Sequence, residues 1–111
     1  MSSIHDKTHK RKNERLNAIQ KTLHEKLPDL RRRYGIRSLG IFGSYLHGTQ
    51  NKRSDLDLLV EFHEDASVTL IGFLTLEREI STHLGLRVDL VERGALKPII
   101  GKQILSEVVL L

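Results

Sequence analysis

Along the first third of the chain Leu16, Ile19, Leu23, Leu27 and Leu30 recur at three- and four-residue steps. That spacing lines one side of a 3.6-residue helix and predicts an amphipathic helix from about Lys10 to Arg33. Pro28 falls within it, where a missing N–H and a bulky ring are expected to kink the helix or end it early. Gly35 is the natural C-terminal stop. The pattern then changes period. Ile36 to Phe42 is a short apolar run, read as a buried strand, and Asp55 to Phe62 alternates as a half-buried strand. Between them, Gly43 to His47 is expected to form one turn of helix and Gly48 to Arg53 a polar loop. Helical spacing returns with Leu70, Phe73, Leu76, Ile80 and Leu84, stopped by Gly85. Leu86 to Val91 reads as a third strand. Leu96, Ile99, Ile100, Ile104 and Val108 mark a last helix, with Pro98 near its start, where proline is tolerated.

The order helix, strand, strand, helix, strand, helix implies a small α/β (α+β) sandwich: a short mixed sheet with helices packed on one face and the other face partly open. At 111 residues there is material for one domain with one modest core, spanning 1–111, with residues 1–10 or so expected as a mobile basic tail. An apolar share of 39% and a charged share of 29% are ordinary for a soluble globular chain. No stretch approaches the roughly 20 apolar residues that span a bilayer, and the polar N-terminus has no apolar signal core. Cysteine is absent, which removes disulfides and thiolate metal sites. A cytoplasmic location is the expectation, by default.

The net charge of +4 is concentrated in Lys7 to Arg15 and in Arg31-Arg32-Arg33. A basic patch of this kind attracts RNA, nucleotide phosphates or an acidic partner. The simpler and preferred reading is a solvated N-terminus followed by favourable cations at a helix C-terminus. Only 5% of residues are aromatic, which leaves few platforms for stacking bases, so direct nucleic-acid binding is the weakest reading. Six histidines show no zinc-ligand spacing beyond His5 and His9, so zinc is not expected.

Chemistry concentrates between Gly43 and Val60. Alternate strand residues point to opposite faces, so Asp55 and Asp57 share one face while Leu56, Leu58 and Val60 share the other. Asp89 stands between Val88 and Leu90 on the third strand and likewise points away from its apolar neighbours. Aspartates within apolar strands cost stability unless solvated, paired or metal-bound. Three on two neighbouring strands suit a hard cation such as Mg2+, which takes one or two carboxylates together with substrate phosphates. Gly43-Ser44 supplies the complementary half: glycine admits a ligand close to the backbone, and the following amides can face phosphate oxygens. Ser44 alone reads equally as a plain helix cap, and there is no G-x-x-x-x-G-K-[ST] loop.

Gly43-Ser44, ten residues, Asp55-x-Asp57 and the later Asp89 together resemble the signature of the DNA polymerase beta-like nucleotidyltransferases. The small size looks most like the minimal nucleotidyltransferases (MNT) that are paired with HEPN-domain proteins. The resemblance implies that Asp55, Asp57 and Asp89 bind two Mg2+ ions, with Asp89 completing the site for the attacking hydroxyl. It also implies that Gly43 and Ser44 grip the β- and γ-phosphates of ATP. It further implies an antitoxin that transfers AMP to a tyrosine of a HEPN ribonuclease toxin. One position departs from the pattern: many relatives carry arginine where this chain has His47. The alternative is a non-catalytic antitoxin that neutralises its partner by masking it. A domain this small leaves little room to enclose nucleotide and acceptor, so a partner or a second copy is expected to complete the pocket. The terminal run Val108 to Leu111 either buries in such a homo- or hetero-oligomer interface or finishes the core stripe of the last helix.

Overall fold

The computed structural model describes the backbone of residues 4–51 and 54–111, with side chains from Glu14 onward in those ranges. The side chains of His5, His9 and the rest of the basic run up to Asn13, and residues Lys52 and Arg53 altogether, lie outside what is described.

Helix α1 spans Ile4–Tyr34. It starts six residues before the expected Lys10; no glycine or proline interrupts the added stretch, so helix propensity opposes nothing there. It also runs through Pro28 to Tyr34, where a kink or an early end was expected. An internal proline costs about 3 kcal/mol. Pro28 faces solvent, while Leu23, Leu27 and Leu30 around it are almost wholly buried. Burying each such side chain contributes about 1.5–3 kcal/mol, enough to carry the helix past the missing hydrogen bond. Gly35 ends it at φ +73°, its N–H on the Arg31 carbonyl at 2.9 Å.

Strand β1 (Ile36–Phe42) leads into α2 (Ser44–His47), and β2 (Leu56–Phe62) returns antiparallel to β1. Helix α3 (Leu70–Leu84) carries the chain across to β3 (Val88–Glu92), which lies parallel to β2. α3 is capped at both ends: the Thr69 hydroxyl accepts from the Gly72 amide at 3.0 Å, and Gly85 closes it in the left-handed conformation. A short 3-10 turn (Arg93–Ala95) precedes α4 (Pro98–Glu107), and β4 (Val109–Leu110) pairs antiparallel with β1. The sheet order is β3-β2-β1-β4, a mixed four-stranded sheet as the α+β reading expects.

Alternation sorts the sheet into two faces. Leu39, Ile41, Leu56, Leu58, Val60, Val88 and Leu90 join α1 and the Leu76 and Ile80 positions of α3 in one core. Phe42, Asp57, Leu59, Asp89 and Val91 point to the other face. No described helix is long and apolar enough to cross a membrane.

The C-terminal region departs most from the sequence expectation. The last helix ends at Glu107 rather than continuing through Val108, and Ile99 and Ile100 on it are 85% and 52% exposed. Val109 and Leu110 form a strand instead of finishing a helical stripe; the open edge of β1 offers backbone partners, and β-branched valines suit a pleated surface. Gly40 admits this strand: a Cβ there would lie 2.5 Å from Val108 Cγ2 and 3.1 Å from the Val109 carbonyl oxygen. Leu70, expected on the buried stripe of α3, is 73% exposed, because the helix meets the core only from Phe73 onward.

Candidate active site

Three strand ends and one turn make the site. β1 and β2 run in register so that Phe42 stands opposite Asp57, which sets Gly43, the next residue of the chain, beside the Asp57 carboxylate. Gly43 has φ +80° and ψ −154°, a combination essentially restricted to glycine. A Cβ on Gly43 would sit 3.0 Å from Asp57 Cγ and 3.2 Å from its Cβ, and would run into Oδ2. Glycine is therefore demanded twice, by the backbone and by the carboxylate.

β2 and β3 pair in parallel with Asp57 directly opposite Asp89, so the two project side by side from the same face. Asp55 precedes β2 by one residue and shares that face by alternation. Partial burial pushes the Asp57 carboxyl above its ordinary value of 3.8, and the negative charges of Asp89 and Asp55 push it further. One Asp55 oxygen, Oδ1, is buried and accepts no hydrogen bond among the described residues. Arg87 Nε lies 3.2 Å from it, an ion pair without hydrogen-bond alignment, and the Arg87 side chain is 82% exposed. Such a pair contributes little.

The turn after β1 is held by its own backbone. The amides of Leu46 and His47 donate to the Gly43 carbonyl at 3.1 and 3.3 Å, and the Thr49 amide donates to the Ser44 carbonyl at 3.0 Å. The Gly43 side of α2 carries no side-chain cap. His47 points away from this turn's start, its Nε2 lying 3.2 Å from Glu107 Oε2 at the end of α4.

The structure thus brings Asp55, Asp57, Asp89 and Gly43 together, with Ser44 beginning the adjoining helix. As they stand, no three Asp, Glu, His or Cys side chains among the described residues are close enough to hold a metal ion. The donor set nevertheless fits a hard divalent cation. It offers three carboxylates on one face, a buried oxygen without a hydrogen bond, and a carboxyl whose ionisation its neighbours oppose. Sequence reasoning missed four polar side chains beside them: Glu77, Ser81 and Arg78 on α3, and Arg87. The first two stand four apart, one position round the helix from Leu76 and Ile80, a polar pair bordering an apolar stripe.

The family model described as the nucleotidyltransferase domain matches residues 23–111. The chain belongs to the nucleotidyltransferase family. A relative in Thermococcus cleftensis, the protein adenylyltransferase MntA, is 48% identical over 88 residues, covering 79% of this chain and 85% of that protein. A solved structure provisionally assigned as a minimal nucleotidyltransferase superposes with a TM-score of 0.69 at 35% identity, covering 88% of this chain and 94% of its own. A toxin–antitoxin complex with AMP-PNP gives 0.62 at 25% identity, covering 78% and 69%. These likenesses place this nucleotidyltransferase among the minimal members, with the mixed sheet that the α+β reading expected.

Proposed function

We propose that this nucleotidyltransferase is the antitoxin of a two-protein module and transfers AMP from ATP to a tyrosine hydroxyl of a HEPN ribonuclease toxin. The observation that carries the reading is the set of Asp55, Asp57 and Asp89 on one sheet face against the Gly43 turn. The 48% identity to a protein adenylyltransferase and the likeness to a toxin–antitoxin complex with AMP-PNP support the same conclusion.

In this reading Asp55, Asp57 and Asp89 would hold two Mg2+ ions. Such ions stabilise both the attacking and the leaving oxygens of an in-line displacement. Gly43 and Ser44 receive the β- and γ-phosphates, since the missing Cβ leaves backbone amides approachable. The tyrosine oxygen attacks the α-phosphorus, the bond from that phosphorus to the bridging oxygen breaks, and pyrophosphate leaves. Asp89, the most exposed of the three, takes up or relays the hydroxyl proton. Sheet order separates the two substrates: the phosphate turn lies at the β1 side and Asp89 on the outer strand β3. A cleft of about 490 Å3 beside Asp55 and Asp89, bordered by Leu74 and Arg78, gives the acceptor its approach.

Masking without turnover is the second reading. Labelled ATP and Mg2+ incubated with the HEPN partner separates the two. Label on the partner, lost with Asp55→Ala/Asp57→Ala, supports transfer. A tight, silencing complex that never acquires label leaves the masking antitoxin.

A further inference from the structure

β3 is the outer strand of the sheet, so only one of its edges pairs with another strand. Its other edge carries the amides of Val88 and Leu90, the residues on either side of Asp89. Unpaired strand amides near a domain surface need a partner. Both are taken by side chains of α3: the Val88 amide donates to Ser81 Oγ at 3.2 Å, and the Leu90 amide donates to Glu77 Oε2 at 2.8 Å. The spacing matches, because four helix residues rise about 6 Å and two strand residues about 6.6 Å. Two attachment points fix the strand along its length and against rotation about its axis. The residue held between them, Asp89, is the position of β3 that carries a site carboxylate.

We propose that Glu77 and Ser81 are positioning residues for Asp89, setting where its carboxylate stands opposite Asp57. The proposal rests on the reading of Asp89 as part of the transferase site. Glu77 acts as a hydrogen-bond acceptor and not through its charge. Its carboxylate nevertheless borders the cleft that Asp55 and Asp89 line, so the two roles must be separated by experiment. Glu77→Gln retains an acceptor oxygen and removes the charge; Glu77→Ala removes both.

The test uses the isotopically labelled full chain for NMR and the partner-transfer assay in parallel. In Glu77→Ala the Asp89 backbone and carboxyl resonances shift and the Leu90 amide exchanges about tenfold faster or more. Transfer falls about tenfold or more, chiefly in kcat, with KM for ATP held within roughly twofold, as loss of alignment requires. Glu77→Gln keeps Leu90 protection and retains transfer within about threefold. Ser81→Ala, a milder change, moves the Val88 amide and the Asp89 signals in the same sense. Asp89 signals unmoved in Glu77→Ala overturn the proposal, and so does a Gln variant as impaired as the Ala variant. A wild-type chain that never labels the partner removes the transferase reading instead, and the NMR comparison still decides whether α3 places Asp89.

Discussion

Replacing Gly43 by alanine tests the link between backbone and chemistry most directly. At φ +80° and ψ −154° a side chain is strained whatever surrounds it, and conformations of this kind cost about 1–3 kcal/mol. The new methyl also meets Asp57, so the carboxylate must swing away from its place opposite Asp89. We expect Gly43→Ala to lose about 2–3 kcal/mol of stability, a fall in Tm of roughly 9–13 °C for a domain of this size. Gly85→Ala is the matched control: φ there is +64°, and a Cβ would meet nothing within 4 Å. It pays the left-handed penalty of about 1–2 kcal/mol and leaves the carboxylates alone. Thermal melts give the stability terms, and transfer to the partner is compared at a temperature where both variants are folded. A misplacement approaching 1 Å at a reacting centre can cost about 100-fold, so Gly43→Ala should lose about that much transfer while Gly85→Ala retains it. Equal activity in the two variants would refute the claim that Gly43 exists to leave room for Asp57.

Three further outcomes follow from the same geometry. The Asp57 carboxyl, held above 3.8 by burial and by Asp89 and Asp55, binds its proton more tightly folded than unfolded. Stability should therefore fall as pH rises from about that value, so Asp57→Asn should melt higher than wild type at pH 7, and Mg2+ should raise the wild-type Tm but not the variant's. Glu79 joins α3 to α1 through Arg33 and accepts from the Tyr34 hydroxyl at 2.9 Å; Arg33 chiefly, and then Tyr34, lowers its pKa from 4.5 to about 2. That drop corresponds to at most about 3 kcal/mol, reduced to about 1 kcal/mol by solvent around the 41% exposed Arg33. The contribution is present above pH 4.5 and lost as pH falls toward 2, so Glu79→Gln should lower Tm at pH 7 and leave it unchanged near pH 2. Gly40→Val should dislodge β4 from β1 at a cost of about 1–3 kcal/mol, read as faster amide exchange at Leu111, whose N–H bonds the Leu39 carbonyl at 2.9 Å.

Periodicity carried most of the fold. The stripe Leu16 to Leu30 and the alternation of Leu56, Leu58 and Val60 each have one physical solution, and both reach the core as read. The carboxylate face was legible because strand parity alone places Asp55 with Asp57, and Asp89 opposite its apolar neighbours. The register that sets Asp57 against Asp89 was not legible, since it depends on how α3 carries the chain from β2 to β3. Pro28 misled because propensity is local while the burial of Leu27 and Leu30 is tertiary. The C-terminal strand was hidden for a related reason: Val108 to Leu111 satisfies a helical stripe on paper, and only the vacant edge of β1 beside Gly40 turns it into a strand. Glu77 and Ser81 stand as a polar pair beside the apolar stripe, but that they bond backbone amides of β3 is not written in a pattern of side chains.

Hydrogen-bonded neighbours in any sheet lie about 4.8 Å apart, a length set by the peptide group and not by side chains. Because Asp57 and Asp89 face each other across one such step, the sheet acts as a gauge for the spacing of their backbones, while the side chains around them set where the carboxylates stand. Helix surfaces away from Glu77 and Ser81 can be exchanged, and the segment at 63–69 can lengthen, without changing that backbone separation. A chain built this way is free to diverge in everything a partner sees while the interval at its chemical centre stays constant.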